Sequence, residues 1–500
     1  MPVANLTPFS QKEDARRKAQ ILDKLRELGG GRITEESGIA YHDGRQILLP
    51  NGMTLKSAAK LVTAQATAME ENHTFTKVFR YRPWDGAYAL QETLKELFGV
   101  GGQGKPIHTF FGSTPPEYRN VEIAPGQEVR VPWGLIDFPV LEAEIRTGVS
   151  NDPTYGLLFQ ASVTAPKKYE AQIEGLWVAV QDFLERKSIY KGKSIVGVGR
   201  QSRDGFEYPT FLDPYATDPA KVAYKREVFD RLNASVWGPI RTANLQRQAG
   251  LKLNRKTLLY GPYGTGKSLA GGLTARVAAD CGWTFIQCKT GEEDLNKVLK
   301  TAELYAPSVV FIEDIDTLIE SDPKKMSELL EMFDGVSSKN KQVMVLMTSN
   351  HADALSKGMT RVGRIDASIE IGDLDREAIQ KLIQATFEAH TLGDEIDYEL
   401  IYEAMSGYEP AFIMGTFHLT KNNAIIRTNS TNFVLKTEDF VLAAETLRNQ
   451  HDNHTNAIDR PAQDVVGKVL GQVMAEQVTG ALQSHKVDFN DEGAIVVLEP

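Results

Sequence analysis

Cysteine is scarce in this chain of 500 residues, which contains only Cys281 and Cys288. Their separation matches neither the closely spaced pairs of a zinc site nor the framework of a disulfide-rich domain. Cross-linked extracellular scaffolds are therefore excluded. We expect a reducing, cytoplasmic environment.

The sequence also lacks any apolar run of the roughly 18 uncharged residues that a membrane-spanning helix needs. Residues 1–28 carry several charged side chains and have no apolar core of the length found in signal peptides. We therefore expect a soluble protein with neither a secretion signal nor a membrane partner.

An excess of positive charge is absent as well, since 66 acidic residues face 56 basic ones and the formal net charge is -10. Such a chain has no global attraction for a phosphate backbone, which makes nucleic acid the less favoured partner. A nucleic-acid motor or loader stays open as the alternative because basic and aromatic side chains cluster near position 80. The cluster comprises Lys77, Arg80, Tyr81, Arg82 and Trp84.

The composition is that of a globular protein, with 42% hydrophobic and 24% charged residues, and the length predicts several domains. A hairpin is expected around residues 41–49, and short alternating runs between 109 and 163 predict a sheet. Apolar residues at helical spacing predict helices at 12–28, 55–70, 88–98 and 168–187. Residues 1–210 are therefore expected to form one or two α+β domains.

A glycine-rich segment directly follows the apolar run 257–260, which predicts a buried strand. It matches the pattern G-x-x-x-x-G-K-S in a strand, loop and helix context. Its glycines let main-chain N–H groups surround phosphates, while a lysine reaches the outer phosphates and a serine binds Mg2+. A fortuitous glycine turn is the alternative. The predicted nucleotide-binding residues are Gly261, Pro262, Tyr263, Gly264, Thr265, Gly266, Lys267, Ser268 and Leu269.

A second buried-strand run, residues 308–312, ends in Glu313 and Asp314. Carboxylates at a strand end beside a phosphate loop are suited to hold a metal and activate water. By position, Glu313 would join Ser268 at the metal, and Asp314 would polarise the attacking water. The assignment within the pair stays open, and capping of a helix near Thr317 is the alternative reading.

A third apolar run, residues 343–347, leads to Asn350, whose side chain is suited to orient a water next to the outermost phosphate. An ordinary turn residue is the alternative at this position. The segment 360–366 then contains Arg361 and Arg364. Arginine can stabilise charge on a transferring phosphoryl group, and a surface salt bridge is the alternative reading of each residue.

These motif groups resemble those of the AAA+ ATPase superfamily, in the family's order, over about residues 228–450. The resemblance implies a P-loop α/β fold, with a RecA-like parallel sheet, flanking helices and a small helical lid. It further implies ATP hydrolysis with Mg2+, with Glu313, Asp314 and Asn350 as catalytic residues. Arg361 and Arg364 correspond to arginine fingers given to a neighbouring subunit, which implies a homo-oligomeric ring, hexameric or otherwise, acting on a protein partner.

Residues 285–291 run almost directly into a helix expected at 292–306, which leaves no room for the aromatic pore loop of AAA+ unfoldases. Together with the Glu-Asp order at 313–314 and the segment 348–351, this makes the motor most similar to Bcs-type AAA chaperones. The resemblance implies that cargo is not threaded by an aromatic loop.

We expect four regions along the chain. Residues 1–210 would bind a partner or form a ring collar, with a linker at 199–219. The large ATPase subdomain would occupy residues 215–373 and the lid 374–450. A carboxy-terminal extension at 451–500 would hold a helix at 462–483 and a strand at 494–498.

Overall fold

The computed structural model describes residues 41–42, 46–47, 64, 67–109, 112–139, 141, 143–198, 206–317, 342–350, 365–393, 395–448, 450–451, 487–489 and 495–497. The strands are β1 (Tyr41–His42), β2 (Gln46–Ile47), β3 (Asn72–Val78), β4 (Ile107–Thr109), β5 (Gly112–Thr114), β6 (Glu117–Ala124), β7 (Gln127–Trp133), β8 (Leu135–Asp137), β9 (Glu144–Asp152), β10 (Gly156–Pro166), β11 (Ser194–Val196), β12 (Thr210–Phe211), β13 (Lys256–Tyr260), β14 (Thr284–Cys288), β15 (Ser308–Ile312), β16 (Val343–Ser349), β17 (Ala367–Glu370), β18 (Val487–Phe489) and β19 (Ile495–Val497). The helices are α1 (Pro83–Phe98), α2 (Glu170–Lys187), α3 (Arg226–Leu232), α4 (Gly238–Arg241), α5 (Ala243–Gln248), α6 (Lys267–Asp280), α7 (Leu295–Leu304), α8 (Arg376–Thr386), α9 (Tyr398–Met405) and α10 (Pro410–Thr428).

These residues form two compact units. The larger comprises the described parts of Met1–Asp218, Asp230–Gly261 and Lys267–Glu370, and the smaller those of Pro219–Phe229, Pro262–Gly266 and Ile371–Pro500.

The first half of the larger unit contains an antiparallel sheet in the order β3-β10-β9-β8. Val163 at its centre pairs with Phe75 on one side and Ile145 on the other. Residues of β10 alternate between buried and more exposed positions, as expected where one face meets a core. The expected α+β texture is therefore confirmed, as is the hairpin of β1 and β2.

Helix α1 begins at Pro83, earlier than the expected residue 88. Proline suits the first helical position because its missing N–H has no intrahelical partner there. The helix ends at Gly99, whose φ of 77° is left-handed. The first turn contains Pro83, Asp85 and Gly86, which have low helix propensity, so the sequence pattern misses it.

The second sheet of the larger unit has seven strands, in the order β12-β11-β14-β15-β16-β13-β17. Strands β14, β15, β16, β13 and β17 pair in parallel, and β15 and β16 consist entirely of buried residues. Such strands read as continuous apolar runs because both faces are covered. The predicted α/β fold with a parallel sheet is confirmed.

Strand pairing crosses the division expected between residues 210 and 215. Strand β11 lies before that boundary, yet it pairs in parallel with β14 of the seven-stranded sheet. Strand β12, within the expected linker, pairs with β11. These strands are too short for their residues to show a period. Their pairing makes β11 and β12 part of the same sheet as β14.

The smaller unit is helical, as expected for residues beyond 374. Asp375 caps α8 by accepting the N–H of Ala378, and Asp397 caps α9 in the same way. Residues 437–448 are also helical. The core of this unit includes Ile383, Ile401 and Phe440.

Strands β18 and β19 pair at the carboxy terminus, which agrees with the strand expected at 494–498. The helices expected at 12–28 and 462–483 lie outside the described residues, as does most of the one at 55–70. None of the described helices is long and apolar enough to cross a bilayer.

Asp85 on α1 is a completely buried carboxyl group. Its oxygens accept the hydroxyl of Ser188 at 2.6 Å and the N–H of Ile189 at 3.0 Å. Burial raises the pKa of Asp85 to about 6, although these hydrogen bonds act in the opposite direction.

Arg82, which precedes α1, forms hydrogen bonds with a residue of α7 and with the residue that follows it. Its main-chain N–H donates to the hydroxyl of Tyr305 at 3.0 Å, and its guanidinium donates to the carbonyl of Tyr155 at 2.8 Å and to the hydroxyl of Thr301. A largely buried side chain with these partners joins the first half of the unit to the second.

Replacing Asp85 by asparagine should remove a pH-dependent term in stability. The folded protein holds a proton on Asp85 that the unfolded chain releases at lower pH, so this stability is present below about pH 4 and is lost as pH rises through about 6. The loss is on the order of 3 kcal/mol. Urea unfolding at pH 4.5 and pH 7 should show the parent losing more than Asp85→Asn, and an equal pH response of the two proteins would contradict the buried-carboxyl account.

Candidate functional site

The glycine-rich loop follows β13 and leads into α6, which begins at Lys267. Gly261, Gly264 and Gly266 have φ values of 151°, 79° and 98°. These backbone conformations are costly for any residue with a Cβ atom, which explains why the pattern needs glycine there. Pro262, Tyr263, Ser268 and Leu269 are exposed.

Lys267 is nearly buried at the start of α6, with 6% of its surface exposed. Its Nζ donates to the carbonyl of Gly261 at 2.8 Å. Burial lowers the pKa of Lys267 to about 8, and the nearby carboxylates of Asp314 and Asp316 oppose that shift. A desolvated ammonium group is thus ready to receive an anion.

Asp314 and Asn350 meet at the carboxyl ends of β15 and β16. The Nδ2 group of Asn350 donates to Oδ1 of Asp314 at 2.9 Å. The main-chain N–H of Asp314 donates to the hydroxyl of Thr348 at 2.9 Å. Asp314 has a φ of 46°, a left-handed conformation that aspartate tolerates better than most side chains. Neighbouring strands therefore bring together two residues that are far apart in sequence.

Glu313 has a different partner from Asp314. Its Oε2 accepts the side-chain amide of Gln287 at 2.9 Å, at the end of β14. The two consecutive carboxylates therefore have hydrogen-bond partners from different neighbouring strands.

Asp316 is a further candidate, to which the sequence analysis assigns no role. It is 6% exposed, and its Oδ2 lies 3.4 Å from the main-chain N of Asn350, which donates to it. Its Oδ1 has no hydrogen-bond partner among the described residues. Buried carboxylate oxygens are normally satisfied, so this atom calls for a ligand, a metal or water. The signal was the acidic spacing Glu313-Asp314-Ile315-Asp316.

The described part of the chain contains no group of three or more His, Cys, Asp or Glu side chains that could hold a metal alone. Magnesium is usually bound by one or two carboxylates together with phosphate oxygens. Glu313 and Asp314 directly follow β15, and Ser268 follows Lys267 at the start of α6. Together with the Asp316 oxygen that has no partner among the described residues, these side chains fit that mode.

The loop residues 262–266 also have contacts of their own within the smaller unit. The carbonyl of Gly264 accepts the N–H of Ala411 at 3.1 Å, and the carbonyl of Gly266 accepts the hydroxyl of Tyr224 at 2.8 Å. Main-chain acceptors of the loop are thus engaged by Ala411 and Tyr224.

Arg361 and Arg364 lie outside the described residues, so their predicted role stays a prediction. Residues 289–294, which connect β14 to α7, contain no aromatic side chain.

The basic and aromatic cluster near position 80 does not form one exposed face. Tyr81, Arg82 and Trp84 are buried, and Arg82 is engaged by main-chain and hydroxyl groups. Lys77 and Arg80 are exposed. Stacking of bases needs accessible rings, so this cluster does not support a single-strand binding face.

Comparison with known proteins adds an independent line of evidence. Residues 257–373 match the family model of the ATPase family associated with various cellular activities (AAA). The chain is 26% identical over 280 residues to a 26S proteasome regulatory subunit 4 homolog of Encephalitozoon cuniculi, covering 52% of this chain and 64% of that protein. It is 28% identical over 203 residues to Protein SAV of Sulfolobus acidocaldarius, covering 37% and 26%. It is 28% identical over 188 residues to a cell division cycle protein 48 homolog of Archaeoglobus fulgidus, covering 34% and 25%. The chain thus spans less than two thirds of the length of each of these relatives.

Binding of an adenine nucleotide above pH 8 should take up a proton at Lys267. The free protein loses the ammonium proton near pH 8 because of burial, and an adjacent phosphate restores it. Calorimetric titration at pH 9 in buffers of different ionisation enthalpy should report uptake of up to about one proton per site. Lys267→Arg is the matched control because a guanidinium stays charged at this pH. Buffer-independent heats for the parent would contradict the assignment.

Proposed function

We propose that this chain, whose residues 257–373 form an ATPase domain of the AAA family, couples ATP hydrolysis to remodelling, translocation or regulation of a protein partner. The relatives named as a proteasome regulatory subunit homolog and a cell division cycle protein 48 homolog support a protein rather than a nucleic acid as partner.

The hydrogen bond between Asn350 and Asp314 is the observation that carries the proposal. It joins a polar amide to a carboxylate at the ends of adjacent strands, and Lys267 is close enough for Asp314 to influence its pKa. Ligands of open α/β sheets bind outside the carboxyl ends of the strands. A phosphate gripped by Lys267 would therefore meet a carboxylate and an amide that can orient water.

The chain's own residues divide the chemistry as follows. Lys267 neutralises charge on the outer phosphates, and the main-chain N–H groups of the glycine loop orient them. Ser268 and Glu313 would hold a magnesium ion and its water shell, and Asp316 would offer a further carboxylate oxygen. Magnesium, when bound, supplies charge neutralisation to the phosphates.

Asp314 is the stronger candidate for polarising the attacking water. Its oxygen is already oriented by the amide of Asn350, whereas Glu313 is engaged by Gln287. An oriented carboxylate backed by a second polar group is the arrangement that general-base catalysis needs. This supports the order of roles expected from position in the chain.

Lys267→Ala should abolish ATP binding, because the loop loses its only positive side chain, while Asp314→Asn should bind ATP and stall. We expect hydrolysis by Asp314→Asn to fall by about a hundredfold or more, the effect of losing a general base. Calorimetry measures binding and phosphate release measures turnover. Glu313→Gln in the same assays tests the roles of the two carboxylates.

The same pair of variants tests the partner. In affinity capture with ATP, followed by a wash with ADP, we expect Asp314→Asn to retain a partner protein. Lys267→Ala should not retain that protein. Hydrolysis by both variants at the parent rate would disprove the motor assignment.

A ring is part of the proposal, with Arg361 and Arg364 acting in the site of the neighbouring subunit. Arg361→Ala subunits and Asp314→Asn subunits should each be inactive alone. Mixed together, they should regain part of the activity, because some interfaces then combine an intact Asp314 with an intact Arg361. Phosphate release by the mixture measures this, with two separately prepared Asp314→Asn samples mixed as the control. No recovery in a mixture shown by mass to co-assemble would contradict sharing.

A further inference from the structure

Helix α10 of the smaller unit lacks a side-chain cap at its amino terminus. Glu409 occupies the cap position, but its side chain accepts no N–H of the helix. The first N–H groups of a helix have no intrahelical partner and need an outside acceptor. For the N–H of Ala411 that acceptor is the carbonyl of Gly264, at 3.1 Å. The phosphate loop therefore caps this helix.

The approach of the loop to the helix is close. A Cβ atom built on Gly264 would lie 3.0 Å from Cβ of Ala411 and 3.8 Å from Cβ of Glu409, and the φ of Gly264 is +79°. Only glycine at 264 and a small residue at 411 allow this contact. The position of Ala411 is thereby tied to the conformation of the loop.

Glu409 has a different partner from the one a capping residue would have. Its Oε2 lies 3.0 Å from Nε2 of His451, and the two residues are 9% and 7% exposed. A carboxylate can only accept, so Nε2–H of His451 donates. The hydrogen bond joins the residue that precedes α10 to the end of the described helical segment at 450–451.

Aromatic rings hold His451 in place. Its ring stacks on Tyr408, with centroids 4.5 Å apart, and meets the edge of Phe412 at 5.0 Å. The hydroxyl of Tyr408 donates to the carbonyl of Ala444 at 2.8 Å. The charged group facing this cluster besides Glu409 is Arg448, whose guanidinium lies 4.7 Å from the centroid of Tyr408. Glu409 is therefore fixed by a packed, polar and aromatic neighbourhood.

From these contacts we infer that Glu409 and His451 are positioning residues for the phosphate loop. Their hydrogen bond fixes the chain at Glu409, so that Ala411 presents its N–H to Gly264 and the loop keeps its nucleotide-binding shape. The effect on nucleotide rests on the proposed function, whereas the effect on the Ala411 amide does not. Because the two residues act on the shape of the loop, nucleotide binding rather than the chemical step should respond.

The test compares His451→Leu, which removes the donor, with His451→Gln, which keeps an N–H donor on a side chain of similar reach. Thr446→Ala is the matched control, since Thr446 lies in the helical segment 437–448 and its exposed hydroxyl donates to the carbonyl of Leu442 in that segment. His451→Leu should raise the Kd and KM for MgATP roughly tenfold, the effect of losing one hydrogen bond to a charged group, with kcat at saturation nearly unchanged. His451→Gln should restore most of the affinity, and Thr446→Ala should behave as the parent.

A second measurement needs no nucleotide. Amide hydrogen exchange of a peptide containing Ala411 should be faster in His451→Leu than in the parent, and should return towards the parent value in His451→Gln. Unchanged exchange, or equal loss of affinity in the leucine and glutamine variants, would overturn the inference. If the parent binds MgATP and Lys267→Ala does not, such a result leaves the proposed function standing. If the parent binds no nucleotide, the proposed function fails and exchange alone decides on the positioning pair.

Discussion

Parallel pairing of three strands is the constraint on which the site depends. Strand β16 lies between β13 and β15, with Ile312 opposite Met347 and Tyr260 opposite Ser349. Because the strands run the same way, the phosphate loop, the carboxylates and Asn350 emerge at one edge. The bond from Asn350 to Asp314 is possible only in this register, since a shift by one residue would turn each side chain to the other face.

Burial gives this edge its chemistry. The strands beneath it have both faces covered, so Lys267 and Asp316 lie where water is scarce and charges interact strongly. The lowered pKa of Lys267 and the unsatisfied oxygen of Asp316 are two results of the same environment.

The candidate site could be predicted from sequence because its signals are local. The runs at 257–260, 308–312 and 343–347 are continuous and apolar, and the residues after each run are of types that suit phosphate or metal chemistry. Strands β11 and β12 were missed because three and two residues show no period, and only their pairing reveals the sheet. The contacts of Gln287 with Glu313 and of Asp316 with Asn350 are visible only in the structure. The contact of Ala411 with Gly264 joins residues too far apart in sequence for any pattern to link them.

The glycine loop has two sides with different duties. The glycines let main-chain N–H groups turn towards a phosphate, while the carbonyl oxygen of Gly264 accepts the N–H of Ala411. Because an amide plane is rigid, turning the N–H of residue 265 also turns the carbonyl of residue 264. The orientation of this one peptide plane therefore affects both the N–H of Thr265 and the hydrogen bond to Ala411. The sequence of the loop has to be compatible with both.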